Sequence, residues 1–184
     1  MRSALRLFLV TCLLGAVAGC EDLDREESGG VVIAYGNLTG FPDIVSVNNE
    51  LADGELSLGV VQLRSIISDP DGPSSDLMDI RIESYEVRYS RGDGGTRLPP
   101  PLVRFYTGSL PANGIFNAGG VVILWEDQVF VPPINDLFFD NGGIDRETGR
   151  SSIILNYHLR FFGRTVAGRE VQSPVLNETI ELVL

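Results

Sequence analysis

Two groups of acidic and amide side chains stand close together in the sequence and could bind a metal ion. In chain order the two groups are Asp69, Asp71, Asp76 and Asp79, and then Asp140, Asn141 and Asp145. Hard cations such as Ca²⁺ take clustered oxygen ligands, so both groups are candidate calcium sites. Neither has the spacing of an EF-hand loop, and Asp, Asn and Gly also favour turns for backbone reasons. A solvated turn is therefore the alternative interpretation of each group, and no metal or other cofactor is assigned.

Catalytic chemistry has little support in this sequence. Histidine occurs once, at His158, on the mixed face of a predicted strand, where a structural role is the simpler interpretation. The hydrolase motifs G-x-S-x-G and H-E-x-x-H do not occur. Carboxylates are plentiful, and a glycosidase needs only two of them at a suitable separation, so a small hydrolase stays as an alternative. The sequence predicts a protein that is not an enzyme.

Other residues could bind a partner at the surface. Arg91-Gly92-Asp93 is the RGD tripeptide of integrin ligands and falls in a predicted hairpin loop, although Gly and Asp also suit the turn itself. Phe130 and Phe162 lie on mixed faces and could line a carbohydrate or protein surface, with core or sheet-edge cover as the alternative.

The first residues have the order of a secretory signal: a short positive region with Arg2 and Arg6, an apolar run over 7–14, and small residues before Cys20. Twelve helical residues, from 7 to 18, reach only ~18 Å, whereas the hydrocarbon core of a bilayer is ~30 Å thick. The segment is therefore predicted to be a signal that is cut, and a membrane-spanning helix is not expected.

Val17-Ala18-Gly19-Cys20 resembles the lipobox of bacterial lipoproteins. The resemblance implies cleavage before Cys20 and attachment of diacylglycerol to its sulfur, so that Cys20 becomes the lipidated first residue. Two or three acyl chains, such as palmitate, anchor a protein firmly, whereas one holds it only marginally. The alternative is an ordinary signal peptide whose cleavage site precedes a cysteine. Cys12 lies in the signal, so the mature domain would hold no thiol besides Cys20 and no disulfide.

The chain divides into three predicted segments: a lipoprotein signal peptide over 1–19, the lipidated cysteine with an acidic tether over 20–30, and one domain over 31–184. The tether carries five acids and one arginine between 21 and 27, so anionic headgroups should repel it and keep the domain off the surface. The chain has a net charge of −11, and losing Arg2 and Arg6 with the signal gives −13. Nucleic acid is not an expected partner.

Along the domain the apolar residues alternate with a period of two, which predicts strands. The seven predicted strands cover 44–48, 56–67, 78–89, 103–107, 121–131, 153–161 and about 171–184. The apolar phase changes at Glu83-Ser84 and again near Gly59, which predicts a bulge or bend at each place. Turns are predicted at 69–73, 92–95, 99–101, 119–120 and 141–143, and a short helical turn over 134–139.

Tyr85-Glu86-Val87-Arg88-Tyr89-Ser90 before a glycine-rich turn resembles the third strand of a fibronectin type III or related immunoglobulin-like domain. The segment 157–165 with Ala167-Gly168 resembles its last hairpin. The pattern Y-x-V-x-Y-x-R-x-D-G-G, followed by F-x-G-x-x-x-x-G-x-x-V, is also similar to a group of uncharacterised bacterial lipoproteins, and its residues imply a fold and no catalytic role. The tryptophan common in the second strand of fibronectin modules is absent, and Trp125 lies much later.

The predicted fold is all-β, an immunoglobulin-like antiparallel β-sandwich of about seven strands. We expect a protein anchored to a bacterial membrane through lipid at Cys20 and facing the periplasm or the exterior. Its expected role is a non-catalytic binding or accessory module of the cell envelope, with an envelope protein as partner, acting through a sheet edge or the loops at one end. The alternatives are a calcium-dependent or carbohydrate-binding module and, behind it, a small envelope hydrolase.

Overall fold

A computed structural model describes residues 30–68 and 75–184. Nine strands make up most of this part of the chain. They are β1 (Val31–Thr39), β2 (Ile44–Ser46), β3 (Leu56–Ile67), β4 (Ile80–Arg91), β5 (Leu102–Leu110), β6 (Ile115–Leu124), β7 (Ser152–Thr165), β8 (Glu170–Gln172) and β9 (Leu176–Val183). A short helix, α1 (Glu126–Val129), and 3₁₀ turns at Asp76–Met78, Ile134–Leu137 and Phe139–Asn141 lie between strands. The predicted all-β fold is confirmed.

The strands form two sheets that pack as a sandwich. One sheet has the order β1-β3-β6, and the other has the order β2-β9-β7-β4-β5, with β8 paired to β7. In an immunoglobulin-like sandwich, β1, β3 and β6 take the places of strands A, B and E, and β4, β7 and β9 those of C, F and G. All pairs are antiparallel except β2 with β9, which is parallel.

The core lies between the two sheets and is filled by alternate residues of the long strands. On β7 the buried residues are Ile153, Leu155, Tyr157, Leu159 and Phe161, the face that the sequence pattern predicts. Two tyrosines of β4 also link the sheets through hydrogen bonds. The Tyr89 hydroxyl donates to the Ile123 carbonyl at 2.6 Å, and the Tyr85 hydroxyl accepts from the Val122 N–H at 3.0 Å.

The strand prediction is wrong in four places. β1 is not among the predicted strands, because its alternating run Val31, Ile33, Tyr35 is broken at Gly36 and its register with β3 shifts between Tyr35 and Leu38. The segment 121–131 is not one strand, because β6 ends at Leu124 and α1 follows. Gly119-Gly120 is not a turn but lies inside β6. The last predicted strand is two strands, β8 and β9, separated by 173–175.

The predicted bulge at Glu83-Ser84 is confirmed. Ile82 is paired with Gly163 and Ser84 with Phe162, so Glu83 is an extra residue of β4 opposite β7. The phase change near Gly59 is also present, because Leu58 is buried on one side of it and Val61 on the other. The pairing register of β3 with β6 does not shift at Gly59. The buried face of β6 changes opposite it, because Ala118 and Val121 are both buried on either side of Gly119 and Gly120.

The sandwich has two distinct ends. Gly30, the turn at 75–79, the loop 111–114 and the loop 166–169 lie together at the first, which we call the N-terminal end. Ala112 N–H donates to Asp79 at 2.8 Å, and Val166 N–H donates to the Asp79 carbonyl at 2.8 Å. The loops 47–55, 92–101 and 125–151 lie at the opposite end, which we call the loop end. Within the described ranges, no helix is long and apolar enough to cross a membrane.

Candidate interaction surface at the loop end

The largest connection in the described chain, 125–151, covers one end of the core. It joins β6 to β7 and contains α1 and two of the 3₁₀ turns. Val129, Ile134 and Leu137 are fully buried, so the loop is packed onto the sandwich by its own apolar side chains. The sequence predicts a helical turn over 134–139, and the 3₁₀ turn at Ile134–Leu137 confirms it.

A buried ion network fixes this loop to the β4–β5 connection. Arg91, the last residue of β4, is bonded to Asp93 through Nε–Oδ1 and Nη2–Oδ2, both at 2.7 Å. The same Nη2 donates to Oδ2 of Asp145 at 2.8 Å. The three side chains are at most 1% exposed. One guanidinium thus joins two carboxylates that stand 52 residues apart in the sequence, and the bidentate geometry is the strong form of this contact.

Backbone N–H groups donate further hydrogen bonds to both carboxylates. Asp93 accepts from Gly95 N–H and Ile154 N–H, each at 3.1 Å. Burial by itself raises the pKa of Asp93, and the hydrogen bonds from Arg91, Gly95 and Ile154 outweigh it, so that the pKa is lowered to about 2. Burial likewise raises the pKa of Asp145, while its bonds to Arg91 and the neighbouring turn hold that pKa below the usual value. Both groups are therefore charged and satisfied at neutral pH.

Glycine is required at two positions around this network. A Cβ at Gly95 would lie 2.6–2.9 Å from the guanidinium atoms of Arg91, and Gly94 has a φ of +89°. The R-x-D-G-G part of the sequence motif is thus explained by structure: it closes a tight turn against a buried arginine.

A second set of polar contacts ties the same loops together nearer the surface. The buried carboxylate of Asp136 contacts Arg97 at 3.1 Å and Arg146 at 3.4 Å. Glu147 accepts from the Thr96 hydroxyl at 2.6 Å and from the N–H groups of Thr96 and Arg97 at 2.8 and 2.9 Å. These bonds lower the pKa of Glu147, and the bond from the Thr96 side chain has the largest effect. The loops of this end are therefore held in one arrangement.

Apolar side chains are exposed on this fixed framework. Leu98 is 45% exposed, Phe130 46%, Phe139 68% and Ile144 49%. We call these four residues the loop surface. The Phe130 ring packs against Phe138, with centroids 5.9 Å apart, and Asn48 Oδ1 accepts the Phe139 N–H at 3.0 Å. Large apolar groups held in place and open to solvent are typical of a binding surface.

The loop surface has an acidic surround. The exposed acidic residues of this end are Glu50, Asp53, Glu55, Glu126, Asp127, Asp140 and Glu147, and the exposed arginines are Arg146 and Arg150. Such a surface complements a partner that combines apolar side chains with basic ones.

The RGD tripeptide is not presented to solvent. The Arg91 and Asp93 side chains are buried and bonded to each other, so neither can reach a receptor. The tripeptide serves the turn, which is the alternative interpretation of its sequence.

The candidate calcium ligands of the second group do not converge on one point. Asp145 is fully buried on Arg91, whereas Asp140 is exposed and the Asn141 amide donates to Asn135 at 2.8 Å. Asp69 and Asp71 lie outside the described residues, and Asp79 accepts the Ala112 N–H. Over 30–68 and 75–184, no group of three or more His, Cys, Asp or Glu side chains could hold a metal ion.

The remaining candidates lie apart from the loop surface. His158 lies on the outer face of the six-stranded sheet, where it contacts Ser90 Oγ at 2.9 Å and Asn177 Oδ1 at 2.6 Å. The three side chains form a polar row across β4, β7 and β9. Phe162 is half-buried towards the N-terminal end, whereas Phe130 belongs to the loop surface, so the two do not form one site. Cys20 lies outside the described residues, and its lipidation stays a prediction.

A sheet edge, the other predicted binding mode, is present at β5. This strand is the last of its sheet, and Phe105 and Val103 on its outer face are 98% and 65% exposed. An unpaired edge can accept an added strand. The sequence pattern does not mark Phe105 as a candidate surface residue. Its neighbours Arg104 and Tyr106 are half-buried, so Phe105 lies on the opposite, outer face of the strand.

Comparisons with known proteins add little. No protein-family model matches the sequence, and no curated protein does. Among solved structures, a crystal structure of a protein from Archaeoglobus fulgidus is similar at a TM-score of 0.41 and 11% identity, covering 84% of this chain and 94% of that one. A likeness of this size carries no argument about function.

Proposed function

We propose that this protein is a lipid-anchored, non-catalytic binding module of a bacterial cell envelope and that it binds a partner protein through the loop surface. The signal-like first residues and the lipobox resemblance at Val17-Ala18-Gly19-Cys20 support the anchor. They also support an address on a membrane facing the periplasm or the exterior.

The position of Gly30 shows which end of the sandwich is connected to the tether. The tether from Cys20 enters the sandwich at the N-terminal end, and the loop surface lies at the other end of the strands. A twelve-residue strand such as β3 spans about 40 Å at ~3.3 Å per residue. An anchor at Cys20 is therefore attached at the end of the sandwich opposite the loop surface, which leaves that surface open to a partner.

One observation carries the proposal: four exposed apolar side chains lie on the loops at the end opposite Gly30, and the buried Arg91–Asp93–Asp145 network joins these loops to each other. Burying charged groups has a desolvation cost, and in some proteins such groups are retained because they specify one arrangement of the chain. A pre-organised surface also loses less conformational freedom when it binds.

The experiment is an affinity capture of the full-length tagged protein from detergent-solubilised envelope of the source cells. Photo-crosslinking is the suitable chemistry, because the chain has no lysine. Three variants are compared with the wild type: Phe139→Ser on the loop surface, Phe105→Ser on the β5 edge as the matched control, and Cys20→Ser without the anchor. Both phenylalanines are exposed, so neither substitution should unfold the domain.

We expect one stoichiometric partner that is captured by the wild type and Phe105→Ser and lost with Phe139→Ser. Loss with Phe105→Ser and retention with Phe139→Ser would instead assign binding to the sheet edge. A folded wild type that captures no protein would contradict a protein-binding module and direct attention to glycans, Ca²⁺ and small ligands.

A further inference from the structure

A second group of exposed apolar side chains lies at the N-terminal end. Leu77 is 58% exposed and Val166 44% exposed. The two turns that carry them are joined by backbone bonds, from Val166 N–H to the Asp79 carbonyl at 2.8 Å and from Ala167 N–H to the Leu77 carbonyl at 3.0 Å. The turns that carry Leu77 and Val166 are therefore bonded to each other.

Exposed apolar residues also lie on the outer face of the three-stranded sheet towards this end. Val32 and Ile66 are paired across β1 and β3 and are 43% and 49% exposed. Ile115, the first residue of β6, is 52% exposed and is paired with Arg64, two residues from Ile66 on the same face. Five exposed apolar residues thus gather towards one end of the sandwich.

The same end receives the chain from Cys20. Gly30 lines one depression together with Ser75, Leu77, Thr165 and the charged Arg169. The ten residues between Cys20 and Gly30 span at most ~33–36 Å when fully extended. A lipid at Cys20 is therefore connected to the end of the domain that carries Leu77 and Val166, and not to the loop end.

We propose that the N-terminal end rests on the bilayer surface, with Leu77 and Val166 inserted among the headgroups. The inference rests on the proposed lipid anchor, because two apolar side chains bind a membrane only weakly by themselves. An anchor raises their effective concentration at the surface, so weak insertion becomes significant. The contact gives the module a defined orientation and points the loop surface outwards.

The charge of this end is mixed. Asp76 is exposed next to Leu77, and the acidic residues between 21 and 27 lie just before the domain. Arg64, Arg81, Arg164 and Arg169 are exposed towards the same end, and Arg164 is bonded to Glu170. Anionic headgroups repel the acidic groups and attract the arginines, so vesicles of zwitterionic phosphatidylcholine test the apolar contact by itself.

The test anchors the protein chemically, so that it does not depend on lipidation in cells. Residues 20–184 contain the whole buried core described above, and Cys20 is their single thiol. This thiol is coupled to a maleimide phospholipid in phosphatidylcholine vesicles that contain brominated acyl chains. Trp125, the single tryptophan, is replaced by Phe, and Leu77→Trp or Phe139→Trp supplies the probe.

We expect brominated lipid to quench the tryptophan at position 77 at least threefold more than the one at 139, and Val166→Asp to remove that difference. Circular dichroism verifies that each variant is folded. Equal quenching at the two positions, or none at 77 in coupled protein, would overturn the membrane contact and favour a tether that holds the domain off the surface. Failure of lipidation in cells would refute the proposed anchor, whereas equal quenching in chemically anchored protein would refute the membrane contact, so the two failures are distinguished.

Discussion

The buried network around Arg91 gives the sharpest prediction about stability. Replacing Arg91 by Met keeps a long apolar side chain but removes the guanidinium. Asp93 and Asp145, which are at most 1% exposed, would then be left without their cationic partner. We expect the domain to unfold more easily at pH 7, because a buried carboxylate that has lost its partner keeps its full desolvation cost.

The magnitude follows from the burial of the three groups. Breaking a buried pair by removing one partner costs about 3–5 kcal/mol, and here one arginine serves two carboxylates. A loss of that size lowers the melting temperature by about 6–20 °C for a domain of this length. The matched control is Arg88→Met, because Arg88 is 70% exposed and pairs with Glu86 at 2.9 Å. An exposed pair of this kind contributes about 0–1 kcal/mol.

The pH dependence has a defined sign in each protein. In the wild type the pKa of Asp93 is lowered from 3.8 to about 2, so its contribution is present above pH 4 and is lost as the pH falls towards 2. That shift corresponds to about 2 kcal/mol. In Arg91→Met the buried carboxylates should have raised pKa values, so acidification towards pH 4 relieves their destabilisation. The stability gap between the two proteins should therefore shrink as the pH falls.

Urea unfolding followed by circular dichroism between pH 3 and 7 measures this gap. A loss below 1 kcal/mol at pH 7, or a gap that stays constant over the range, would refute the assignment of the network as a buried, charged clamp.

Further changes test other parts of the fold. Gly95→Ala should destabilise the domain because its Cβ would lie 2.6–2.9 Å from the Arg91 guanidinium, and in urea unfolding its effect should be far from additive with that of Arg91→Met. Tyr89→Phe removes the buried hydroxyl bonded to Ile123 and should lower the free energy of unfolding by about 1–3 kcal/mol, because the Ile123 carbonyl loses its donor. Phe105→Ser, at a 98% exposed position, should change the melting temperature by under about 2 °C. Phe161→Ala should cost about 3–5 kcal/mol, because the ring is fully buried; a loss below 1 kcal/mol would contradict its place in the core.

Much of the sandwich is predictable because its strands follow a simple rule. The alternation along β7 indicates the buried face, and the phase change at Glu83-Ser84 indicates the bulge, since both depend on neighbouring residues in one strand. β1 escapes prediction because Gly36 and a register shift leave too short an alternating run. The strand predicted over 121–131 is too long because its apolar residues continue into α1, where burial comes from the turn of a helix.

The candidate surface is harder to foresee, because it depends on contacts between distant segments. Arg91 and Asp93 suggest an exposed tripeptide, and Asp145 suggests a metal ligand, since charged residues in glycine-rich loops are usually solvated. The pairing of Arg91 with Asp145 across 54 residues, and with Asp93 beside it, reverses both interpretations. No local signal marks a buried aspartate, although the R-x-D-G-G motif indicates a constrained turn.

The anchor at Cys20 is the premise of the proposed function, and it can be measured directly. Mass spectrometry of the mature protein, purified from membranes with its acyl chains intact, gives the first residue and its modification. We predict a chain that begins at Cys20 and carries diacylglycerol on the sulfur. A mature chain that begins elsewhere, or an unmodified Cys20 in protein recovered from the soluble fraction, would contradict the proposed anchor.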